Sequence, residues 1–468
     1  MLTRYWKVLQ GWFESLEPEN RDAIVYGTSA LFAFLTILIS SIPLYRQWGE
    51  IAIGPYLAGT LWCFVVAWRR RRRMERDAVA SSGTPGRAGW KRGWSKPRVA
   101  TMVIVMAGAT FLPLALETYW QNASISTSSG TTHAQPEVLV VEKAGRTLLK
   151  GHDPYTVSSK QPGGHISVPA GQPSYDAFFP YLPGMAVFGM PSGSKAPRPL
   201  GDARVMFALL TFVALGIALW INGLEGERGL FAVQAMSVLP STALPLSTGG
   251  DDIPVIALML LGLVLMRRHR MLMAGVAFGA AASLKFTSWP LVVIALLVLY
   301  AAYSFKDLIK AAAGAGLVVV PAVLPVALAN MKAFVINVVL YPLGLAGIRS
   351  PAASPMPGHL LVSTLPAIHH SYSIVVVLAG GVVFLAALTR WFPRDAGSLA
   401  NFIGWAFLFA VLLAPTTRFG YLIYPFDLII WSRVLHRVPR QAEDAPTEGI
   451  KAVHLQDTLE DTLVGAQA

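Results

Sequence analysis

Apolar residues run in stretches of about 15 to 20 along most of the chain, separated by short polar or basic turns. A helix needs about 20 such residues to cross a bilayer. The pattern predicts helices over 23–44, 52–68, 99–117, 203–222, 228–247, 253–267, 271–284, 288–304, 309–329, 372–389, 398–415 and 420–435. Two further apolar runs, 179–191 and 333–345, are short and read as half-helices or interfacial segments. As one helix the run 271–304 would be about 50 Å long, too long for a single crossing. It therefore reads as a hairpin turning at Lys285. The elements imply an all-α polytopic membrane protein with about twelve transmembrane helices.

Two long connections break this rhythm, 118–202 and 330–371. The first is polar over Ser124–Thr132 and then helix-like from Glu137 to Lys150. There Val140, Val141, Ala144 and Leu148 share one face, and Glu142 and Arg146 form an i,i+4 pair on another. Pro136 suits the start of such a helix and Gly151 its end. No internal repeat is visible. Three regions follow: an amino-terminal two-helix addition with an Arg-rich loop (1–98), a transmembrane core (99–436), and a polar tail expected to be disordered (437–468).

Charge orients the helices. From Arg69 to Arg98 there are eleven Lys/Arg and two acids, including Arg69 through Arg73 in a row. Placing that segment on the cytoplasmic side also places Arg267-Arg268-His269-Arg270, Lys306, Lys310, Arg390, Arg394, Arg433, Arg437 and Arg440 there, as the positive-inside rule requires. Both termini are then cytoplasmic and both long connections lie outside. The basic segment implies contact with anionic lipid headgroups rather than with nucleic acid.

Composition narrows the class further. Apolar residues make up 54% of the 468 and charged residues 14%, against about 25% charged in soluble domains. Such apolar content excludes a disordered chain. One cysteine, Cys63, excludes a disulfide scaffold.

The ionisable residues outside the basic turns gather at outer helix ends and in the outer loops: Glu117, Glu137, Asp153, the pair Asp251 and Asp252, Lys285, Arg349 and Arg418. Ionisable groups near membrane depth are costly and are functional candidates for that reason. The plainer reading of each is a helix-end residue meeting water or headgroups. Asp251 and Asp252 offer hard oxygens that suit a divalent cation, although adjacent acids more often form a solvated turn. No acid or cysteine stands at ligand spacing from His359, His369 or His370, so no metal centre and no cofactor are expected. Tyr119, Trp120, Tyr155, Tyr175 and Tyr181 are aromatics able to stack on a sugar or to sit at the membrane interface.

The order of these features carries a family resemblance. Pro136-Glu137-Val138-Leu139-Val140-Val141-Glu142 is followed by Gly151-His152-Asp153-Pro154-Tyr155, then Phe179-Pro180-Tyr181-Leu182-Pro183-Gly184, then Asp202-Ala203-Arg204. Gly250-Asp251-Asp252, Ser283-Leu284-Lys285 and Pro415-Thr416-Thr417-Arg418-Phe419-Gly420-Tyr421 complete the series. Over about 99–436 this resembles the GT-C superfamily of integral-membrane glycosyltransferases, and most closely bacterial glycosyltransferase family 87. The resemblance implies a GT-C-like fold in a bacterial inner membrane, with its active site on the outer face. It also implies a polyprenyl-phosphate sugar donor, usually mannose, and a lipid-linked or cell-envelope glycan acceptor. An essential carboxylate in the first outer loop is implied at Glu137, with Glu117 and Asp153 as alternatives. The family more often has Asp there, and an aromatic four residues on, where this chain has Val141.

The chemistry accounts for the residue types. A carboxylate takes the proton of an attacking sugar hydroxyl. Cations stabilise the charge developing on a lipid-phosphate leaving group, and Lys285, Arg349 and Arg418 are the outer-face cations available. Tyr155, Tyr181, Asp251 and Asp252 are the candidates for holding sugar. Two competing readings are a lipid or glycan transporter, which would carry inverted repeats and midplane charges, and a catalytically inactive scaffold of the same fold.

Overall fold

The structure is a computed structural model that describes residues 15–80, 94–127, 132–155, 178–194, 197–222, 226–342 and 352–436. Arg349, Tyr175 and the tail 437–468 lie outside the described residues. The described residues form helices with no β-strand; a single isolated bridge joins Ala353 and Thr417. Among the described residues eight helical stretches, one of them the broken run Arg228–Thr248, are long and apolar enough to cross a membrane, and there are three shorter apolar helices, Met271–Leu284, Phe286–Ala302 and Met331–Leu340.

Helices α1 (Pro18–Ile39) and α2 (Pro43–Ala80) form an antiparallel hairpin. Arg70 reaches Glu19 at 2.8 Å and Arg71 reaches Glu17 at 3.2 Å, so the end of α2 lies beside the start of α1. The five-arginine run is therefore helical, not the loop expected after residue 68. A straight-chain arginine loses little freedom in a helix, and while Arg70 and Arg71 meet acids of α1, Arg69 and Arg72 stand over the rings of Trp62 and Trp68. Arg98 departs further from the expectation of a loop cation. It is buried and donates two bonds to Asp22, at 2.6 and 2.9 Å.

Helix α3 runs from Lys96 through a π-helical turn at Ala107–Phe111 to Thr127, ten residues past the expected end. The indole of Trp48 on α2 donates to the Ala109 carbonyl inside that turn, at 3.1 Å. The hydroxyl of Tyr56 on α2 donates to the Val238 carbonyl. Helix α4 (Pro136–Leu149) lies in the first long connection, and α5 (Ala203–Asn222) follows it. The expected helix 228–247 is two pieces, α6 (Gly226–Ala235) and α7 (Pro240–Thr248). Pro240 has no N–H to continue a helix but suits the first turn of a new one.

Helix α8 (Asp252–Arg267) is buried on every side from Asp252 to Met266, which marks it as the central helix of the bundle. Helices α9 (Met271–Leu284) and α10 (Trp289–Ala302) form the expected hairpin. The Tyr303 ring after α10 lies 5.6 Å from the His269 ring before α9, so Lys285 stands at the hairpin's far end. Along α9, Gly275 and Gly279 face Ala311 and Ala315 of α11 (Phe305–Ala329), and Gly314 faces Leu272. This is the small-residue seam that lets membrane helices approach closely.

A short helix α12 (Met331–Val335) continues as a π turn over Ile336–Leu340. Helix α13 (Pro357–Thr364) leads to α14 (His369–Arg390), α15 (Ala396–Leu413) and α16 (Ile423–Leu435). Asp395 and Ser398 close a capping box at the start of α15. Helix α14 stands apart: only 6% of its apolar window is buried within the protein. Near its start it is anchored by the Tyr372 hydroxyl, which donates to the Leu413 carbonyl at 2.8 Å.

Candidate active site

Helix α4 is placed by close backbone contact. Val138, Val140, Val141 and Ala144 are buried, and the helix packs on a 3₁₀ helix over Pro183–Gly193. A Cβ on Gly145 would strike the Gly189 backbone, and one on Gly189 would strike the Val141 carbonyl. We expect Gly189→Ala to cost about 1–3 kcal/mol by overpacking, read as a lower melting temperature of the purified protein in detergent; an unchanged melt would contradict this packing.

A second close approach fixes the neighbouring turn. Helix α7 ends on Gly249 in the left-handed region (φ 111°), where only glycine is at ease. Its missing side chain makes room for Val138 of α4 and for Arg204. The turn delivers Asp251 and Asp252 to the head of α8, next to α4.

Around this frame the charged residues converge. Lys285 Nζ donates to Asp252 Oδ1 at 2.6 Å and to Asp251 Oδ1 at 3.1 Å. Asp252 Oδ1 also accepts from the Tyr424 hydroxyl at 2.6 Å, and that hydroxyl lies 2.7 Å from Thr287 Oγ1. The Lys285 ammonium stands over the rings of Tyr181 and Tyr421, 5.4 and 5.7 Å from their centres. Burial works to lower the Lys285 pKa, but the two carboxylates outweigh it and raise the value, so the ammonium stays charged.

Arg418 Nη1 donates to Glu137 Oε1. The Tyr181 hydroxyl lies within the electrostatic reach of Glu137, Arg418 and Asp251, and Tyr421 within that of Lys285 and Arg418. One cluster thus unites Glu137 of α4, Tyr181, the Asp251-Asp252 pair, Lys285 of the α9–α10 turn, and Arg418 with Tyr421 before α16. Two acceptor atoms in it, Glu137 Oε2 and Asp251 Oδ2, are buried without a hydrogen-bond partner. Such atoms are costly to leave unmatched, and each keeps lone pairs that could accept from a hydroxyl.

The cluster is braced from several sides. The Tyr155 hydroxyl donates to the Tyr181 carbonyl at 2.7 Å, and the Tyr155 ring packs on Phe179 and Phe334. Leu182 N–H donates to the Leu284 carbonyl at 3.0 Å. Beside Arg418, Thr417 N–H donates to the Ala352 carbonyl and Ser354 N–H to the Thr417 carbonyl, at 3.1 and 2.9 Å. His359 Nδ1 lies 2.8 Å from the Pro415 carbonyl, a structural contact rather than a metal ligand. Among the described residues no group of three or more His, Cys, Asp or Glu is arranged to hold a metal ion.

The other candidates fall elsewhere. Asp153 accepts from the Tyr155 N–H at 2.9 Å and closes a local turn. Glu117 does not end a helix but sits inside α3, fully buried, with His133 Nδ1 at 3.6 Å from Oε2. Burial, with Arg204 beside it, pushes the His133 pKa down. Arg204 is itself fully buried. It grips Asp202 at 2.6 and 3.0 Å and donates to the carbonyls of His133 and Glu117 at 2.6 and 3.3 Å. This knot holds the segment leading into α4. Tyr155 likewise acts as a brace with its hydroxyl engaged, while Tyr181 faces the cations.

Tyr421, Tyr424 and Thr287 belong to the cluster although reading the sequence singled out none of them as a site residue. Tyr424 lies three residues beyond the quoted Pro415–Tyr421 motif and Thr287 stands two after Lys285, so adjacency to motif residues is the one available signal.

No curated protein and no solved structure was found to match the chain. Its match to a family is extensive: the profile described as Glycosyltransferase family 87 covers residues 179–415, just over half of the 468. That span holds Tyr181, Asp251, Asp252 and Lys285, and it stops three residues before Arg418. The chain therefore belongs to glycosyltransferase family 87 and is a multi-pass membrane glycosyltransferase.

Proposed function

We propose that the protein transfers a hexose, with mannose the first choice, from a polyprenyl-phosphate donor to a lipid-linked or cell-envelope glycan acceptor. The reaction takes place at the outer face of a bacterial inner membrane. The observation that carries this reading is the joining of a carboxylate with an open oxygen, Glu137, to two cations, Arg418 and Lys285, around the Tyr181 and Tyr421 rings.

Glu137 accepts the proton of the acceptor hydroxyl as it attacks the anomeric carbon. The bond from that carbon to the phosphate oxygen breaks, and the polyprenyl phosphate leaves carrying the extra charge. Arg418 and Lys285 stabilise it, the guanidinium with paired donors and the ammonium as a point charge. Asp251 and Asp252 keep Lys285 charged and placed, and Asp251 Oδ2 is available to a sugar hydroxyl. No metal is needed for these steps.

Purified protein incubated with radiolabelled polyprenyl-phosphate hexoses and a membrane-lipid extract tests the reading. Transfer of label to an extractable lipid or glycan is expected. Failure of every donor to yield product, with the donor bound intact, would point to a scaffold; movement of intact donor across vesicles would point to a transporter. The orientation has its own test. In a Cys63→Ser background, Thr132→Cys, at an exposed position before α4, should react with an impermeant thiol reagent in intact cells. Labelling only after lysis would invert the topology.

A further inference from the structure

The amino-terminal hairpin lies outside the stretch that matches the family, yet one of its side chains reaches the residue that precedes α4. Helix α4 begins with an unusual residue. Gln135 occupies the cap position, where Ser, Thr, Asp or Asn would be usual, and its side chain makes no capping bond to α4. It turns away instead. Gln135 Nε2 donates to the Tyr45 hydroxyl at 3.0 Å and to Thr248 Oγ1 at 2.7 Å, while Gln135 N–H donates to the Thr248 carbonyl at 2.9 Å. Gln135 is thus held between α2 and the end of α7, two residues before Glu137. The Glu137 carboxylate and the Arg418 guanidinium are both near enough to act on the Tyr45 phenol.

Tyr45 sits on a rigid support. Trp48, one turn further along α2, is fully buried and bonded to the π turn of α3. Tyr56 reaches Val238 before α7, and Asp22 with Arg98 locks α1 to α3. The hairpin is thus fixed to the helices that frame the cluster, and Tyr45 transmits that fixed position to the start of α4.

We propose that Tyr45 is a positioning residue for sugar transfer: through Gln135 it sets where α4 begins, and so where the Glu137 carboxylate stands. The inference rests on the reading of Glu137 as the base. A base works only at hydrogen-bond reach of its proton, and small displacements are expensive in rate. One neutral hydrogen bond is worth about 0.5–1.5 kcal/mol, so its loss corresponds to a change of roughly 2- to 12-fold.

The test compares the full-length protein with Tyr45→Phe, which removes only the hydroxyl, and with Thr60→Val, which removes a hydroxyl bond within the same helix, to the Tyr56 carbonyl. Amide hydrogen exchange is followed over a peptide spanning 132–141, alongside donor KM and kcat. Tyr45→Phe should speed exchange of the Gln135 and Val138 amides and lower kcat, each by about 2- to 12-fold, with donor KM unchanged. Thr60→Val should leave exchange over 132–141 and kcat in place. Unchanged exchange in Tyr45→Phe would overturn the proposal, as would faster exchange with undiminished kcat. Equal effects of both variants on exchange and kcat would also overturn it, because they would reduce Tyr45 to one more packing contact. If the wild-type protein transfers no sugar, the proposed function fails, and the exchange comparison alone still decides whether Tyr45 fixes α4.

Discussion

Glu137→Gln should slow turnover by about 10²–10⁴-fold, the usual contribution of a general base, while donor KM stays close to the wild-type value. The substitution keeps the size of the side chain and leaves a carbonyl oxygen to accept from Arg418, where Glu137 Oε1 accepts now. What it removes is Oε2, the buried oxygen without a hydrogen-bond partner, and replaces it with an amide that cannot take a proton. If Glu137 only ends its helix, the cost should be about 1 kcal/mol of local stability and little activity. Initial rates at saturating donor separate the two. Near wild-type transfer by Glu137→Gln, with Glu117→Gln or Asp153→Asn inactive, would move the base to one of those carboxylates. Full activity in all three would rule out the carboxylate mechanism.

Lys285→Met should be still more disruptive, because two effects combine. Under the proposed mechanism transfer loses the ammonium that stabilises the leaving phosphate, a loss of about 10²–10³-fold for one preorganised charge-stabilising group. Folding loses the partner of two buried carboxylates, and removing one member of a buried ion pair costs about 3–5 kcal/mol. The remedy separates these effects. Adding Asp251→Asn and Asp252→Asn to Lys285→Met discharges the stranded acids and should restore the melting temperature without restoring transfer. Recovery of transfer in the triple variant would show that Lys285 serves only to neutralise its neighbours.

The helices were legible where apolar runs were bounded by charge or proline. The span 203–222 matches α5 end for end, and the hairpin at Lys285 follows from length alone. The extension of α2 through Arg69–Arg73 was not legible, because arginine marks both a cytoplasmic loop and the headgroup end of a long helix. The burial of Arg98 depends on Asp22, 76 positions away, and no local pattern announces it. The same limit governs the cluster. Glu137 and Arg418 stand 281 positions apart, and Lys285 and Asp251 34 apart. Residue type nominated each of them singly, but which carboxylate meets which cation is decided by helix packing. Gln135 and Tyr45 carried no signal, since a glutamine before a proline and a tyrosine near a helix start are ordinary residues until placed together.

The isolation of α14 gives the bilayer itself a hold on the site. With few protein neighbours, the tilt of this helix, about 33 Å long over 22 residues, is set by matching its apolar part to a hydrocarbon layer of about 30 Å. Mismatch energy changes by fractions of a kcal/mol per Å, enough to shift the tilt of a loosely held helix. Its amino-terminal end is tied through Tyr372 to Leu413, four residues before Thr417 and five before Arg418. A thinner or thicker membrane therefore pulls on the segment that carries Arg418, and under the proposed mechanism acyl-chain length becomes a variable of the reaction alongside the concentrations of donor and acceptor.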